Sequence, residues 1–70
     1  MERTNVTSSN IASIGYDLSQ SVLEVEFISG DIYQYFNVPQ HLYLNFMSAS
    51  SKGSFLSDHI RFNYRYHRVG

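Results

Sequence analysis

The chain has 70 residues, no cysteine and a formal net charge of −1, which suits one small domain and excludes a disulfide framework or a thiolate metal site. Its 43% hydrophobic and 16% aromatic residues are typical of a globular domain rather than a disordered chain. No apolar run approaches the ~18 residues of a membrane span. The N-terminal residues lack the pattern of a signal peptide, so we expect a cytoplasmic protein.

The charge is unevenly distributed along the chain. Residues 1–51 carry one basic and five acidic side chains, whereas residues 52–70 carry four basic and one acidic side chain. The net charges of the two segments are therefore −4 and +3. A near-neutral total gives no overall attraction to nucleic acid or membrane, but the basic C-terminal segment is a local exception.

The first elements are a loose arm and a strand, within a single domain over residues 1–70. Residues 1–8 are polar and are predicted to form a loose N-terminal arm. Residues 11–17 are predicted to form a strand, although the alternation is weak and puts Ile11 on the same face as Ser13. Gly15 within it indicates a bulge or a close backbone approach.

A hairpin follows the first strand. Residues 22–27 alternate apolar side chains with Glu24 and Glu26 and predict a second strand with one solvated face. Ser29-Gly30 is typical of a hairpin turn that needs a positive φ at glycine. Residues 31–37 then predict a third strand.

The length of this turn decides which face of the third strand is buried. A two-residue turn pairs Phe27 with Ile32 and places Tyr33 and Tyr35 on the solvent face, beside the glutamates. A three-residue turn with a bulge pairs Phe27 with Tyr33 and Val25 with Tyr35, and buries the tyrosines. The position of the glycine favours the two-residue turn.

Two helices are predicted after the strands. Pro39 at the first helical position begins a helix that continues to Ala49. Ser54 is predicted to cap a shorter helix to about Arg61, followed by an extended tail. The predicted apolar side chains of the two helices are Leu42, Tyr43, Phe46 and Met47 in the first and Phe55, Leu56 and Ile60 in the second. The fold class is therefore α+β, a three-stranded antiparallel sheet with two short helices packed on one face and an extended C-terminal tail.

The sequence contains no pattern typical of an enzyme. His41, His59 and His67 lack the spacing of a zinc site, and the paired glutamates of the second strand are typical of a solvated strand face. Residues 52–54, Lys-Gly-Ser, suit either a helix connector or a loop that holds one phosphate. We therefore expect no catalytic residues, metal, cofactor, small-molecule substrate or membrane contact.

The basic tail is the strongest candidate for binding. Three arginines and a nearby lysine alternate with aromatic residues, and this mixture suits single-stranded RNA or DNA, because arginine pairs with phosphate and aromatic rings stack on bases. The alternative is that the aromatics pack on the sheet while the arginines pair with the acidic segment. The residues concerned are Lys52, Arg61, Phe62, Tyr64, Arg65, Tyr66 and Arg68.

A series of short motifs, in their order and spacing, resembles the KTSC domain over about residues 8–69. This family is named for a C-terminal extension of some lysyl-tRNA synthetases and also occurs as small bacterial proteins. The resemblance implies no catalytic residues, suggests RNA binding through the association with a synthetase, and singles out Tyr33 and Tyr35. The motifs are Ile14-Gly15-Tyr16-Asp17, Leu23-Glu24-Val25-Glu26-Phe27, Gly30 with Tyr33-Gln34-Tyr35, Asn37-Val38-Pro39, Ser51-Lys52-Gly53-Ser54-Phe55 and Ile60-Arg61.

The sequence thus predicts a small non-catalytic binding module whose partner is RNA or another nucleic acid. If four cationic side chains contact a single-stranded nucleic acid, the logarithm of the affinity should fall with the logarithm of the salt concentration with a slope of about −3. The alternative is a protein-interaction or self-associating module, because a three-stranded sheet leaves exposed edges that a second copy covers. The predicted nucleic-acid-binding residues are Tyr33, Tyr35, Lys52, Arg61, Arg65 and Arg68.

Overall fold

The computed structural model describes all 70 residues as one antiparallel sheet with helices on one face. Its five strands are hydrogen-bonded in the order of the chain, β1-β2-β3-β4-β5. The strands are β1 (Arg3–Asn5), β2 (Ile11–Asp17), β3 (Val22–Phe27), β4 (Ile32–Tyr35) and β5 (Tyr66–Arg68). The helices are α1 (Gln40–Ser48) and α2 (Lys52–Phe55), which continues into a π-helical turn (Leu56–Ile60).

The α+β class and the three central strands agree with the prediction, but the sheet has five strands and not three. Arg3–Asn5, predicted to belong to a loose arm, pair with β2 as the edge strand β1. Tyr66–Arg68, predicted to be an extended tail, pair with β4 as the opposite edge strand β5. β1 has only three residues, too few for a periodic pattern to appear, whereas the tail alternates but its sequence does not indicate which strand it pairs with.

The favoured hairpin register is wrong. The loop has three residues, because the Phe27 N–H donates to Asp31 O at 2.8 Å and the Gly30 N–H donates to Phe27 O at 2.9 Å. Gly30 has φ +99°, the positive value that ends such a loop. Tyr33 therefore lies opposite Val25, on the buried face that the three-residue alternative requires.

The strand pairs nevertheless differ from those expected for that alternative. Val25 pairs with Tyr33 and Leu23 with Tyr35. The expected partners were Phe27 for Tyr33 and Val25 for Tyr35, so the register differs by two residues. Because side chains alternate with a period of two, this difference leaves the face unchanged. Both tyrosines lie on the face of the sheet that the helices cover, named here the helix face, and the opposite side is named the open face.

An irregularity in β2 explains its weak alternation. Ile11 pairs with Phe27 and Ser13 with Glu26, so Ala12 is the extra residue of a bulge. The bulge places Ile11 and Ile14 together in the core, both with no exposed surface, whereas Ser13 turns to the open face. The prediction that Ile11 and Ser13 share a face is wrong for this reason.

The helices bury their predicted apolar side chains against the helix face. Phe46 of α1, together with Leu56 and Ile60 of the π-helical turn, lies in the core. The boundaries differ slightly from prediction, since Pro39 is the residue before α1 and Ser51, not Ser54, caps α2 by accepting a hydrogen bond from the Ser54 N–H. Neither helix has the length and apolar character needed to cross a membrane.

A polar network on the open face ties β1 to the central strands. The Arg3 guanidinium forms an ion pair with Glu24 and donates from Nε to Ser13 Oγ at 2.9 Å. Gln34 Nε2 donates to Glu24 Oε1 at 2.8 Å, and Ser13 Oγ donates to Glu26 Oε1 at 2.8 Å. Glu24 is only 7% exposed, so its charge depends on these partners.

Gly15 is required for the close approach of β1. A Cβ at this position would lie 2.5 Å from the backbone oxygen of Glu2 and 2.9 Å from Cγ of Arg3. The close approach predicted for Gly15 is therefore confirmed, whereas the bulge lies three residues earlier, at Ala12.

We expect the Gly15→Ala substitution to displace β1 and to lower the free energy of unfolding by about 1–3 kcal/mol, as other overpacking changes do. Urea unfolding measures the loss, and hydrogen exchange of the β1 amides measures the displacement. Gly30→Asn is the control, because no atom lies near its Cβ and asparagine tolerates a positive φ. Wild-type stability and exchange in Gly15→Ala would contradict this account of β1.

The Glu24 carboxylate should make stability depend on acid pH. Burial raises its pKa, but hydrogen bonds from Gln34 and Arg3 and the charge of Arg3 lower it by more, so the pKa lies below its ordinary value. A depressed pKa stabilises the fold above the unfolded-state value of about 4.3, and this contribution disappears as the pH falls through the lower, folded-state value. In urea titrations from neutral pH into this acid range, we expect Glu24→Gln to lose less stability than the wild type, and Glu2→Gln, an exposed control, to follow the wild type. Equal acid losses in all three proteins would show that Glu24 does not contribute.

Candidate functional site: an aromatic cleft beside the edge strand

Three tyrosines lie side by side on the helix face where β4 meets β5. The ring centroid of Tyr66 lies 5.5 Å from that of Tyr33 and 5.8 Å from that of Tyr35. Phe27 meets Tyr33 edge to face with the centroids 5.7 Å apart. The strand register produces this arrangement, because Tyr35 lies directly opposite Tyr66 and aromatic pairs across strands stabilise one another.

The helices cover only part of this aromatic row, and the uncovered part forms a cleft. Tyr35 is 2% exposed, whereas Tyr66 at the sheet edge is 56% exposed. The cleft has a volume of about 490 Å³, within the range of ~300–1,000 Å³ that small-molecule sites occupy. We name it the aromatic cleft; it is lined by Ser9, Asn10, Phe27, Ile28, Ser29, Asp31, Tyr33, Tyr35, Gly53, Leu56, Ser57, Arg61 and Tyr66.

The hydroxyl of Tyr35 reaches the aromatic cleft in its protonated form. The Tyr35 hydroxyl has no partner in the chain, and no fully buried side-chain polar atom lacks one, so this hydroxyl keeps some exposed surface on a residue that lines the cleft. Burial raises the pKa of Tyr35, and the positive charge of Arg61 acts in the opposite direction. At neutral pH this hydroxyl can therefore donate one hydrogen bond into the cleft.

The π-helical turn positions Arg61 at the aromatic cleft. The Arg61 N–H donates to Leu56 O, five residues earlier, at 2.8 Å, and turns of this kind are frequent at functional sites. The Arg61 guanidinium carbon lies 5.4 Å from the ring centroid of Phe62, within cation–π range. Phe62 is 81% exposed, so the Arg61 side chain carries an exposed aromatic ring as its neighbour.

The predicted site residues are only partly brought together. Tyr33, Tyr35 and Arg61 line the aromatic cleft, but the tyrosines do not form a stacking platform on the solvent face, because the register turns them toward the helices. Lys52 Nζ donates instead to Ala49 O near the end of α1, at 2.8 Å.

The other two predicted arginines differ in whether they have a partner within the chain. Arg68 pairs with Asp31 Oδ1 at 2.8 Å, so the expectation that the tail arginines pair with the acidic segment holds for this residue. The side chain of Arg65 is exposed and has no ion pair or hydrogen bond within the chain. Arg61 and Arg65 are thus the cations that remain available to a ligand.

The sequence places Tyr66 in the aromatic part of the tail but does not indicate that it lies beside Tyr33. The alternation of aromatic and polar residues in the tail was the available signal, since it is typical of a strand. What the sequence did not contain was the partner of that strand, which the structure identifies as β4.

A second, wholly polar cleft adjoins the aromatic cleft. Its volume is about 350 Å³, and no apolar side chain lines it. Gly53, for which the sequence left a phosphate loop or a helix connector open, lies within α2. It packs closely on Asn10, because a Cβ at Gly53 would lie 2.7 Å from Asn10 Oδ1. We name this the polar cleft; it is lined by Ser9, Asn10, Ser51, Gly53, Ser54, Ser57 and Asp58.

No group of three or more acidic or histidine side chains is arranged to hold a metal ion. His59 packs with its ring centroid 4.5 Å from that of Phe55. His67 lies on β5 opposite Gln34, in a separate part of the fold.

Comparisons with known proteins agree with the resemblance found in the motifs. The family model of the KTSC domain matches residues 7–69. The chain is 39% identical over 70 residues to an uncharacterized protein of Stutzerimonas stutzeri, covering 99% of each, and 32% identical over 60 residues to a protein of Tsukamurella paurometabola, covering 86% of this chain and 90% of that protein. The crystal structure of a KTSC domain protein from Yersinia pestis matches with a TM-score of 0.96 and 42% identity, over 99% of this chain and 97% of that one. The chain therefore belongs to the KTSC domain family.

Proposed function

We propose that this KTSC domain is a non-catalytic module that binds single-stranded nucleic acid and seats a base in the aromatic cleft. The observation that carries the proposal is the half-exposed ring of Tyr66, which stands beside Tyr33 at a cleft that Arg61 also lines. Aromatic faces accept any base by stacking, and a neighbouring arginine suits the phosphate of the same nucleotide.

The exposure of these rings supports a binding role. A chain of 70 residues has little apolar surface to spare, because small domains bury a smaller fraction of their surface. Even so, Ile28 is 60% exposed and Tyr66 is 56% exposed, and both line the cleft. Exposed apolar surface that is concentrated beside a cleft is typical of an interaction site.

The charges beside the cleft support a nucleic acid over a neutral ligand. Arg61 is the one basic residue that lines the cleft, and its guanidinium has no anionic partner in the chain. Asp31, the acidic residue of the lining, is neutralised by Arg68 at 2.8 Å. A phosphate at the mouth of the cleft would therefore meet a net positive charge.

The two glutamates of β3 are not placed to act on a ligand in the aromatic cleft. Glu24 and Glu26 lie on the open face, away from the aromatic cleft, and are held by Arg3 and Ser13. Since a general acid or base must lie within hydrogen-bond reach of a bound substrate, these carboxylates are not positioned to act on a ligand in the cleft.

Fluorescence anisotropy with a labelled single-stranded oligonucleotide tests the stacking role of Tyr66. Because base–aromatic stacking contributes about 1–3 kcal/mol per base, we expect Tyr66→Ala to weaken binding by about 5- to 150-fold. Tyr66→Phe is the matched control and should bind like the wild type, because it keeps the ring. Leu44→Ala, at an exposed site on α1, should also leave binding unchanged. If the wild type does not bind at low salt, or if Tyr66→Ala binds as well as the wild type, the proposal is wrong.

The salt dependence of binding tests how many cations take part. Lys52 and Arg68 are engaged within the chain, which leaves Arg61 and Arg65 and reduces the expected slope from about −3 to about −1.4. Affinity should then fall about sevenfold between 50 and 200 mM salt. A slope near −3 would show that Lys52 and Arg68 leave their partners when the ligand binds.

Self-association is the second candidate, and the free outer edge of β5 favours it. The shortness of β5 and its arginine weigh against it, because short, charged edge strands resist pairing. Sedimentation velocity of the protein used for the binding assay measures this. A stable dimer in which Tyr66→Ala disrupts the interface would support self-association over nucleic-acid binding.

A further inference from the structure

We infer that the polar cleft holds the ribose of the nucleotide whose base lies in the aromatic cleft, so that the domain selects RNA over DNA. This inference rests on the proposed function. It assigns a role to a second cleft and names a residue, Asp58, as the determinant of sugar specificity.

The two clefts are adjoining parts of one groove. They share four lining residues, namely Ser9, Asn10, Gly53 and Ser57. The contact between Asn10 and Gly53 lies at their boundary, where a Cβ on Gly53 would come within 2.7 Å of Asn10 Oδ1. Because a ribose is joined directly to its base, a base in one cleft places its sugar at this boundary.

The lining of the polar cleft suits sugar hydroxyls. Serine hydroxyls and the Asn10 amide donate and accept hydrogen bonds, and the Asp58 carboxylate accepts them. The 2′-hydroxyl, which distinguishes RNA from DNA, both donates and accepts. Carboxylates bind ribose hydroxyls in this way in dinucleotide-binding folds.

Several of these groups have no partner within the chain. The side chains of Ser57 and Asp58 make no hydrogen bond to the rest of the protein, and Asp58 has no ion pair. Asn10 Oδ1 accepts from Ser8 Oγ at 3.2 Å, which leaves the Asn10 NH₂ group available. The polar cleft therefore offers both an acceptor and a donor to a ligand.

The same lining disfavours a phosphate in the polar cleft. Asp58 is its only charged residue and would repel a phosphate. Lys52, the nearest candidate cation in the sequence, donates to Ala49 O and does not line this cleft. The phosphates are thus expected on the side of Arg61, and the sugar on the side of Asp58.

The experiment compares matched RNA and DNA oligonucleotides of one sequence, made only of A and C so that the sugar is the only difference. Anisotropy titrations measure both affinities for the wild type, Asp58→Asn and Ser57→Ala. Glu2→Gln is the charge-matched control, because it removes one negative charge from an exposed side chain. All four proteins are first compared by circular dichroism to confirm that they fold.

We expect the wild type to bind RNA about tenfold or more tightly than DNA, since a hydrogen bond to a charged group contributes this much. Asp58→Asn should bring the ratio of RNA affinity to DNA affinity toward one, whatever the common effect of the lost charge on both. Ser57→Ala should cause a smaller loss for RNA only, and Glu2→Gln should keep the wild-type preference.

The outcomes separate this inference from the proposed function. If RNA and DNA bind equally, or if Asp58→Asn changes both affinities by the same factor, the ribose assignment is wrong and nucleic-acid binding stands. If neither oligonucleotide binds at 50 mM salt, the proposed function is wrong and the ribose assignment falls with it.

Discussion

The three-residue loop between β3 and β4 determines which side chains the rest of the molecule can use. A shift of one residue in the hairpin register moves every side chain of a strand to the opposite face. The positive φ of Gly30 ends a three-residue loop, and Tyr33 therefore lies opposite Val25. The helix face then contains Tyr35, and the open face contains Glu24 and Gln34. The core, the aromatic cleft and the polar network that holds β1 all depend on this one register.

The sheet separates two kinds of polar chemistry. On the open face, Arg3 and Gln34 satisfy Glu24, whose charge is almost removed from water. On the helix face, the polar groups at the clefts, such as Asp58 and the Tyr35 hydroxyl, have no partner in the chain. Satisfied polar groups fix a fold, whereas polar groups left without partners beside an aromatic surface are available to a ligand.

The sequence predicted the parts of the fold in which a local pattern coincides with burial. The alternation of β3 and the helical spacing that buries Phe46 were sufficient to place both elements, because each pattern spans six residues or more. The turn length was not predictable in the same way, since a two-residue and a three-residue loop both satisfy the preferences of Gly30. The edge strands were missed because their formation depends on partners far away in the chain, such as Glu24 for Arg3 and β4 for Tyr66.

The opening and closing of the edge strand β5 affects both the stability of the sheet and the proposed binding. A terminal strand of three residues opens more readily than the central sheet, and opening β5 would remove Tyr66 from the row it forms with Tyr33 and Tyr35. A ligand that stacks on Tyr66 binds only the closed strand, and by mass action it must stabilise that strand in proportion to its occupancy. β5 is therefore both a part of the sheet that opens readily and the part that binding would order.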